Sequence, residues 1–306
     1  MTQPNAFKRF EPLLLLFAAG LSLGLIFPLG KLSADLGLPP LAFAGATAAG
    51  ASVVLAFICR IAGGRVIVNT ETLFYAAIAG QLTFAIPFVT LLVVIPHLGS
   101  GIPAILQSLA PLVTLGIVSA LGVERPGAVR IAGLLIGLVG TSIILLERNS
   151  DSIGADAHIG WFLLALVTPA SLATGNVYRT THWPDGHGPL PLAMLTLASA
   201  AGSITLLAVV LSFAGLVSIS LGDAIAGLGL IAAQSLAIGV GYAFFFRLQQ
   251  VGGPVYLSQI SYLNTGVGVA FAVLLFGERL SLTVWVAVAL ILFGVAMVNQ
   301  SARAAN

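Results

Sequence analysis

The sequence predicts an all-α integral membrane protein of ten transmembrane helices, arranged as two inverted five-helix repeats around a central cavity. Three observations predict it. Only 7% of the 306 residues are charged and 58% are hydrophobic, against ~25% charged in soluble domains, and mean hydropathy is +1.09. Apolar runs recur at about 20 residues, the length a helix needs to cross a bilayer core. Blocks of the first half return in order in the second.

Cutting the chain at charged and Pro/Gly-rich breaks places the spans at 12–31, 39–60, 72–95, 100–121, 127–146, 158–179, 190–215, 223–246, 254–276 and 282–299. The first follows Lys8-Arg9 and reads as a span rather than a signal peptide, because hydrophobic segments continue after it. Each later run is bounded by a basic residue or a Pro/Gly pair, and the connections are too short for a soluble domain. Backbone groups cannot go unpaired in lipid, and strand alternation is absent, so the runs are helices. With the N-terminus in the cytoplasm, nine of the 12 basic residues fall inside (Lys8, Arg9, Arg60, Arg65, Arg125, Arg130, Arg179, Arg247, Arg303). Lys31, Arg148 and Arg279 fall outside. Basic residues mark the cytoplasmic side, so both termini are expected there.

Glu124-Arg125 in "LGVERPG" lies 154 residues before Glu278-Arg279 in "FGERLS". "IAGQ" at 78–81 resembles "IAAQ" at 231–234, and "PLAF" at 40–43 resembles "PLAM" at 191–194. The expected units are 1–150 and 151–306. Five helices is an odd number, so the second copy inserts upside down, an arrangement many secondary transporters use.

Ten short-looped spans, two five-helix halves, "GERLS" closing the ninth span and "FPLGKL" ending the first together resemble the drug/metabolite transporter superfamily, EamA type. The resemblance implies a secondary, non-ATP transporter of the bacterial inner membrane that exports amino acids or related small metabolites by alternating access. It implies a cavity lined mainly by spans 1, 3, 4, 6, 8 and 9, with spans 5 and 10 peripheral. The tryptophan often seen early in that family's first span is missing here, where "AAGLSLG" stands.

Polar side chains inside spans should face protein or a watery cavity. Gln81 and Gln234 hold matching positions in spans 3 and 8. Either they meet near the midplane as substrate ligands, or they bridge helices as interhelical glue. Pro103, Gln107, Pro111 and Thr114 share one face of span 4, where prolines free carbonyls for a ligand or simply kink a packing helix. Pro28 and Pro87 are further kink positions. Span 9 carries Tyr256, Gln259, Tyr262 and Asn264, too polar a set to face lipid. Span 6 offers Thr168, Ser171, Asn176 and Tyr178, the last an interfacial anchor or a cavity group. Tyr242 is the polar aromatic of span 8. Lys31 either attracts a carboxylate or snorkels to headgroups.

Several functions are excluded. The net charge of +2 suggests no nucleic-acid surface, and the single cysteine, Cys59, allows neither an internal disulfide nor a cysteine metal cluster. "GLIFPLGKL" has the wrong glycine spacing for a phosphate loop. His182, Asp185 and His187 sit among Pro184, Gly186 and Pro189, a solvated connection rather than a metal site. No cofactor is expected, and the partners are membrane lipids and a small-molecule substrate. All acids and histidines lie near span ends, so no ionisable relay is expected at midplane. Facilitated movement of a zwitterionic or weakly charged solute follows, and an enzyme does not. A permease for drugs or other metabolites is the alternative reading.

Overall fold

A computed structural model describes residues 6–120, 127–150, 155–217, 225 and 227–304. Side chains are described in these ranges except at 6–10, 118, 130, 134, 144–150, 155–158, 252–256, 258, 259, 295 and 298–304. Every described element is helical. They are α1 (Ala6–Gly24), α2 (Ile26–Asp35), α3 (Pro40–Ile61), α4 (Thr70–Gly80), a π turn (Gln81–Ala85), α5 (Ile86–Leu98), α6 (Gly101–Gln107) and α7 (Ala110–Ala120). After these come α8 (Ala128–Ser150), α9 (Ala155–Thr181), α10 (Pro189–Phe213), α11 (Leu228–Leu274) and α12 (Leu282–Ala304). Six helical stretches are long and apolar enough to cross a bilayer, and four shorter apolar ones accompany them.

Proline explains where spans are cut. Pro28 has no N–H for the Gly24 carbonyl, and α1 gives way to α2 at Leu25. Pro111 has none for the Gln107 carbonyl, and α6 gives way to α7 across Ser108-Leu109. Pro103 sits in the first turn of α6, where a missing N–H costs little. Gly99, at φ +73°, turns the chain between α5 and α6. At the start of α4, Asn69 accepts from the Thr72 N–H at 2.8 Å while Thr72 Oγ1 accepts from the Asn69 N–H at 2.9 Å, which closes a reciprocal cap.

α11 has 47 residues and would be about 70 Å long if straight. Gly241 packs against Leu23 and Leu263 packs against Gly20. These contacts are three residues apart on α1 and twenty-two apart on α11, roughly 33 Å of straight helix. The chain therefore reverses between 241 and 263, and α11 supplies both the eighth and the ninth span.

α8 and α12 pack as a pair. A Cβ on Gly294 would stand 2.4 Å from the Gly133 carbonyl oxygen and one on Gly140 2.8 Å from that of Ala287, so only glycine permits this approach. The main buried core includes Phe27, Phe43, Phe84, Phe88, Ile95, Ile105 and Phe246 and extends to Val284, Ala287 and Ile291 of α12. Val53, Phe57, Phe74, Leu206 and Val210 are exposed, as a lipid-facing surface requires.

Candidate functional site

A cavity of about 330 Å³ lies among α1, α2, α5, α6, α7, α9 and α11. Its walls are mainly apolar, with Leu23, Phe84, Phe88, Leu91 and Phe245 prominent. Polar groups converge from the π turn and four helices: Thr83, Gln107, Thr114, Thr168, Asn176, Tyr242, Ser261 and Asn264. An apolar pocket with a few fixed polar groups suits a small ligand. Among the described residues lining it, none is charged. Thr180 and Thr181, both exposed, lie at the end of α9 and mark the mouth.

Pro87 organises the cavity wall. In the π turn the Ile86 N–H reaches back to the Gln81 carbonyl, so the next bond in that register would run from residue 87 to Leu82. Proline cannot donate it. The Leu82 carbonyl instead accepts from Ser171 Oγ at 2.8 Å, and the Thr83 carbonyl from the Tyr242 hydroxyl at 2.8 Å. In an α-helical register the same N–H would go to the Thr83 carbonyl, so one absent donor bears on both carbonyls that bond α9 and α11. A parallel case lies on the opposite wall. The Ser108 N–H turns to Ile105, which leaves the Ala104 carbonyl to accept from Thr265 Oγ1 at 2.8 Å.

Of the sequence-predicted residues, Gln107, Asn176, Tyr242, Pro87 and Pro111 line the cavity. Pro28 and Pro103 are buried behind it. Gln81 and Gln234 do not line it and do not meet across it. The Gln81 amide exchanges hydrogen bonds with Ser203 Oγ on α10, at 2.8 and 3.0 Å. Gln234 is 0% exposed, and neither amide atom has a hydrogen-bond partner among the described residues. Tyr262 is half-buried beside the cavity rather than in its lining. Tyr178 stacks on Tyr75 (5.9 Å) and His182 (4.6 Å). Lys31 pairs with Asp35 at 3.2 Å and stands 6.0 Å over the Phe276 ring. The side chains of Tyr256 and Gln259 lie outside those described, as do Glu124 and Arg125 altogether. In the 182–187 connection, Trp183 Nε1 donates to the His187 carbonyl at 3.2 Å, so these residues pack the turn.

Two residues carry more than sequence reasoning gave them. Glu278 Oε1 accepts from the Ser100 N–H at 2.8 Å and from Ser100 Oγ at 3.0 Å, while Oε2 accepts from the Gly101 N–H at 3.1 Å. The carboxylate of "GERLS" thus caps the start of the fourth span, where N–H groups lack helical partners and favour negative charge. A capping role is legible in the sequence, but the identity of the capped helix is not. Arg179, expected at the membrane edge, is 0% exposed. Its guanidinium lies 4.1 and 4.4 Å from the ring centroids of Phe246 and Phe245 and donates to Gln249.

The two ends of the cavity differ. Beyond Gln107 and Leu91 the chain is solid: Ile95, Leu98, Ile102 and Ile105 are buried, Gly268 is wedged against Ala104 and Phe27, and Glu278 pins the rim. At the Thr180 end the cavity reaches exposed residues. The arrangement is a one-ended chamber.

Comparison with known proteins gives the following. The EamA-like transporter family profile matches twice, over residues 11–146 and 160–300. An uncharacterized inner membrane transporter, YedA, of Escherichia coli strain K12 is 30% identical over 312 aligned residues, covering 95% of this chain and 92% of that protein. The YedA of Escherichia coli O157:H7 matches equally well. One solved crystal structure superposes with a TM-score of 0.65 at 18% identity, covering 95% of this chain and 98% of that one, a likeness of fold.

Proposed function

Since this chain belongs to the EamA-like transporter family, we propose that it is a secondary transporter of the bacterial inner membrane that exports amino acids or related zwitterionic solutes by alternating access. The observation that carries this is the chamber itself: mainly apolar, set with neutral amides and hydroxyls, sealed at one end and reached from the other. The YedA proteins, similar along 95% of this chain, are inner membrane transporters by name.

Two inverted repeats, 1–150 and 151–306, form the frame. The family profile's two matches support this, and so do packing pairs that come in matching sets. α11 packs on α1 as α9 packs on α5, and α11 meets α3 through Gly50 and Ser235 as α4 meets α10 through Gly80 and Thr196. Related by a pseudo-twofold axis, such halves exchange roles, and the end now sealed becomes the end that opens. With basic residues marking the cytoplasm, both termini and the Thr180 mouth are cytoplasmic, and the Glu278 end is periplasmic.

The test is uptake of a labelled amino-acid panel into liposomes carrying purified protein. Saturable flux that needs no ATP, accelerated by unlabelled solute on the opposite side, is the expected result. Absence of any carrier-type flux, or single-channel currents in its place, contradicts the reading.

A further inference from the structure

We propose that Arg179 is the anion anchor of this transporter, and that the solute it carries bears a carboxylate. The inference rests on the transporter reading and names the residue that would hold the carboxylate of such a solute.

The argument starts from cost. An uncompensated buried charge is penalised by several kcal/mol, and an ionisable group within a membrane span ordinarily has a task. Arg179 is 0% exposed and forms no ion pair among the described residues. Its titratable neighbours are two phenols, Tyr75 and Tyr242, rather than a carboxylate. Among the described residues its polar neighbours are uncharged: it donates to the Gln249 oxygen and stands beside the Tyr75 hydroxyl, while Nε and Nη1 have no well-aligned hydrogen-bond partner. Two phenylalanine faces hold the cation, which softens the cost but supplies no acceptor.

Position completes it. Asn176 and Thr180, three residues before Arg179 and one after it, line the chamber. So does Phe245, whose ring covers the guanidinium. One ring therefore lies between the unsatisfied donors and a chamber whose described lining holds no charge. Displacement of Phe245 lets a carboxylate oxygen accept from Nη1, a charge-assisted hydrogen bond of the stronger kind. A single cation matches a monoanion better than a dianionic phosphate, which in a mainly apolar chamber would leave one charge unmet.

The test compares amino acids with their own carboxamides, which differ at the carboxylate alone. Melting shifts of the purified full-length protein are recorded for wild type, Arg179→Met and Arg179→Lys. Replacing a buried charge by an apolar side chain of similar volume is commonly neutral or stabilising, so the methionine variant without ligand should melt no lower than wild type. Arg179→Lys guards against a misfolded methionine variant, because it keeps the charge but loses the fork. Wild type should prefer acid to amide by about tenfold or more, the worth of one charged hydrogen bond. The methionine variant should lose that preference while still binding amides, and the lysine variant should keep part of it. Equal binding of acid and amide by wild type, no binding of any acid, or an unchanged preference in Arg179→Met overturns the proposal. The two readings fail separately. Acid preference without flux in liposomes sinks the transporter reading, whereas flux of amides as fast as acids sinks the anchor.

Discussion

The two ends of the molecule are built from different materials. At the Glu278 end, a carboxylate holds three hydrogen bonds to the start of α6, and a glycine, Gly268, lets α11 press against Ala104 and Phe27. At the Thr180 end, hydroxyls face water and a buried cation, Arg179, waits among aromatic rings. The first end is closed by directional bonds that must all break together. The second has nothing comparable across its mouth among the described residues. A carrier that opens alternately needs one end latched and one end free, and the latch should be reversible at modest cost.

Breaking the latch should have the largest effect. Glu278→Ala strips three donors of their acceptor, a loss of about 2–3 kcal/mol. If opening is two-state, that raises the population open at this end by roughly 30- to 150-fold. Labelling of Ile102→Cys by an impermeant maleimide reads this out; labelling no faster than in the Glu278 parent would refute the latch. Next comes packing. Gly268→Leu drives side-chain atoms into Ala104 and Phe27 and should cost about 1–3 kcal/mol, seen as a lower melting temperature. Gly266→Leu, two residues away with open space around its Cα, should change little. Equal effects would mean the close approach is unimportant.

A smaller effect is expected midway between the ends. Tyr242→Phe leaves the Thr83 carbonyl without its donor, at about 1–2 kcal/mol. Adding Pro87→Ala restores an N–H nearby, so the double variant should recover part of the loss in a thermal-stability cycle; strict additivity would break the link drawn between proline and tyrosine. Smallest of all, Gln81→Ala removes the bond to Ser203 and should lower stability by about 1 kcal/mol while liposome flux stays near wild type. A collapse of flux without unfolding would return Gln81 to the transport path.

That last case marks where sequence reasoning reached its limit. Span positions and the inward placing of Gln107, Asn176 and Tyr242 were legible, because hydropathy and isolated polar groups are local signals. Its matching position with Gln234 left Gln81 as either a midplane ligand or interhelical glue, and the structure sets its amide against Ser203 of α10. Periodicity gives a face but not the neighbour it meets, and the π turn that starts at Gln81 shifts the face as well. Arg179 sits near the end of an apolar run, which hydropathy reads as a membrane edge. Its burial is created by Phe245 and Phe246 of another span. Glu278 follows the ninth span, but the helix it caps begins 177 residues earlier in the chain.

The central claim is a chamber open at one end and latched at the other, and sided labelling tests it most directly. With the buried Cys59 replaced by alanine, single cysteines at Thr180 and at Ile102 are exposed to an impermeant maleimide in right-side-out and inside-out vesicles. The account predicts that Thr180→Cys labels from the cytoplasmic face alone and that Ile102→Cys is protected from both. Ready labelling of Ile102→Cys from the periplasmic face with Glu278 intact, or labelling of Thr180→Cys from that face, would contradict it.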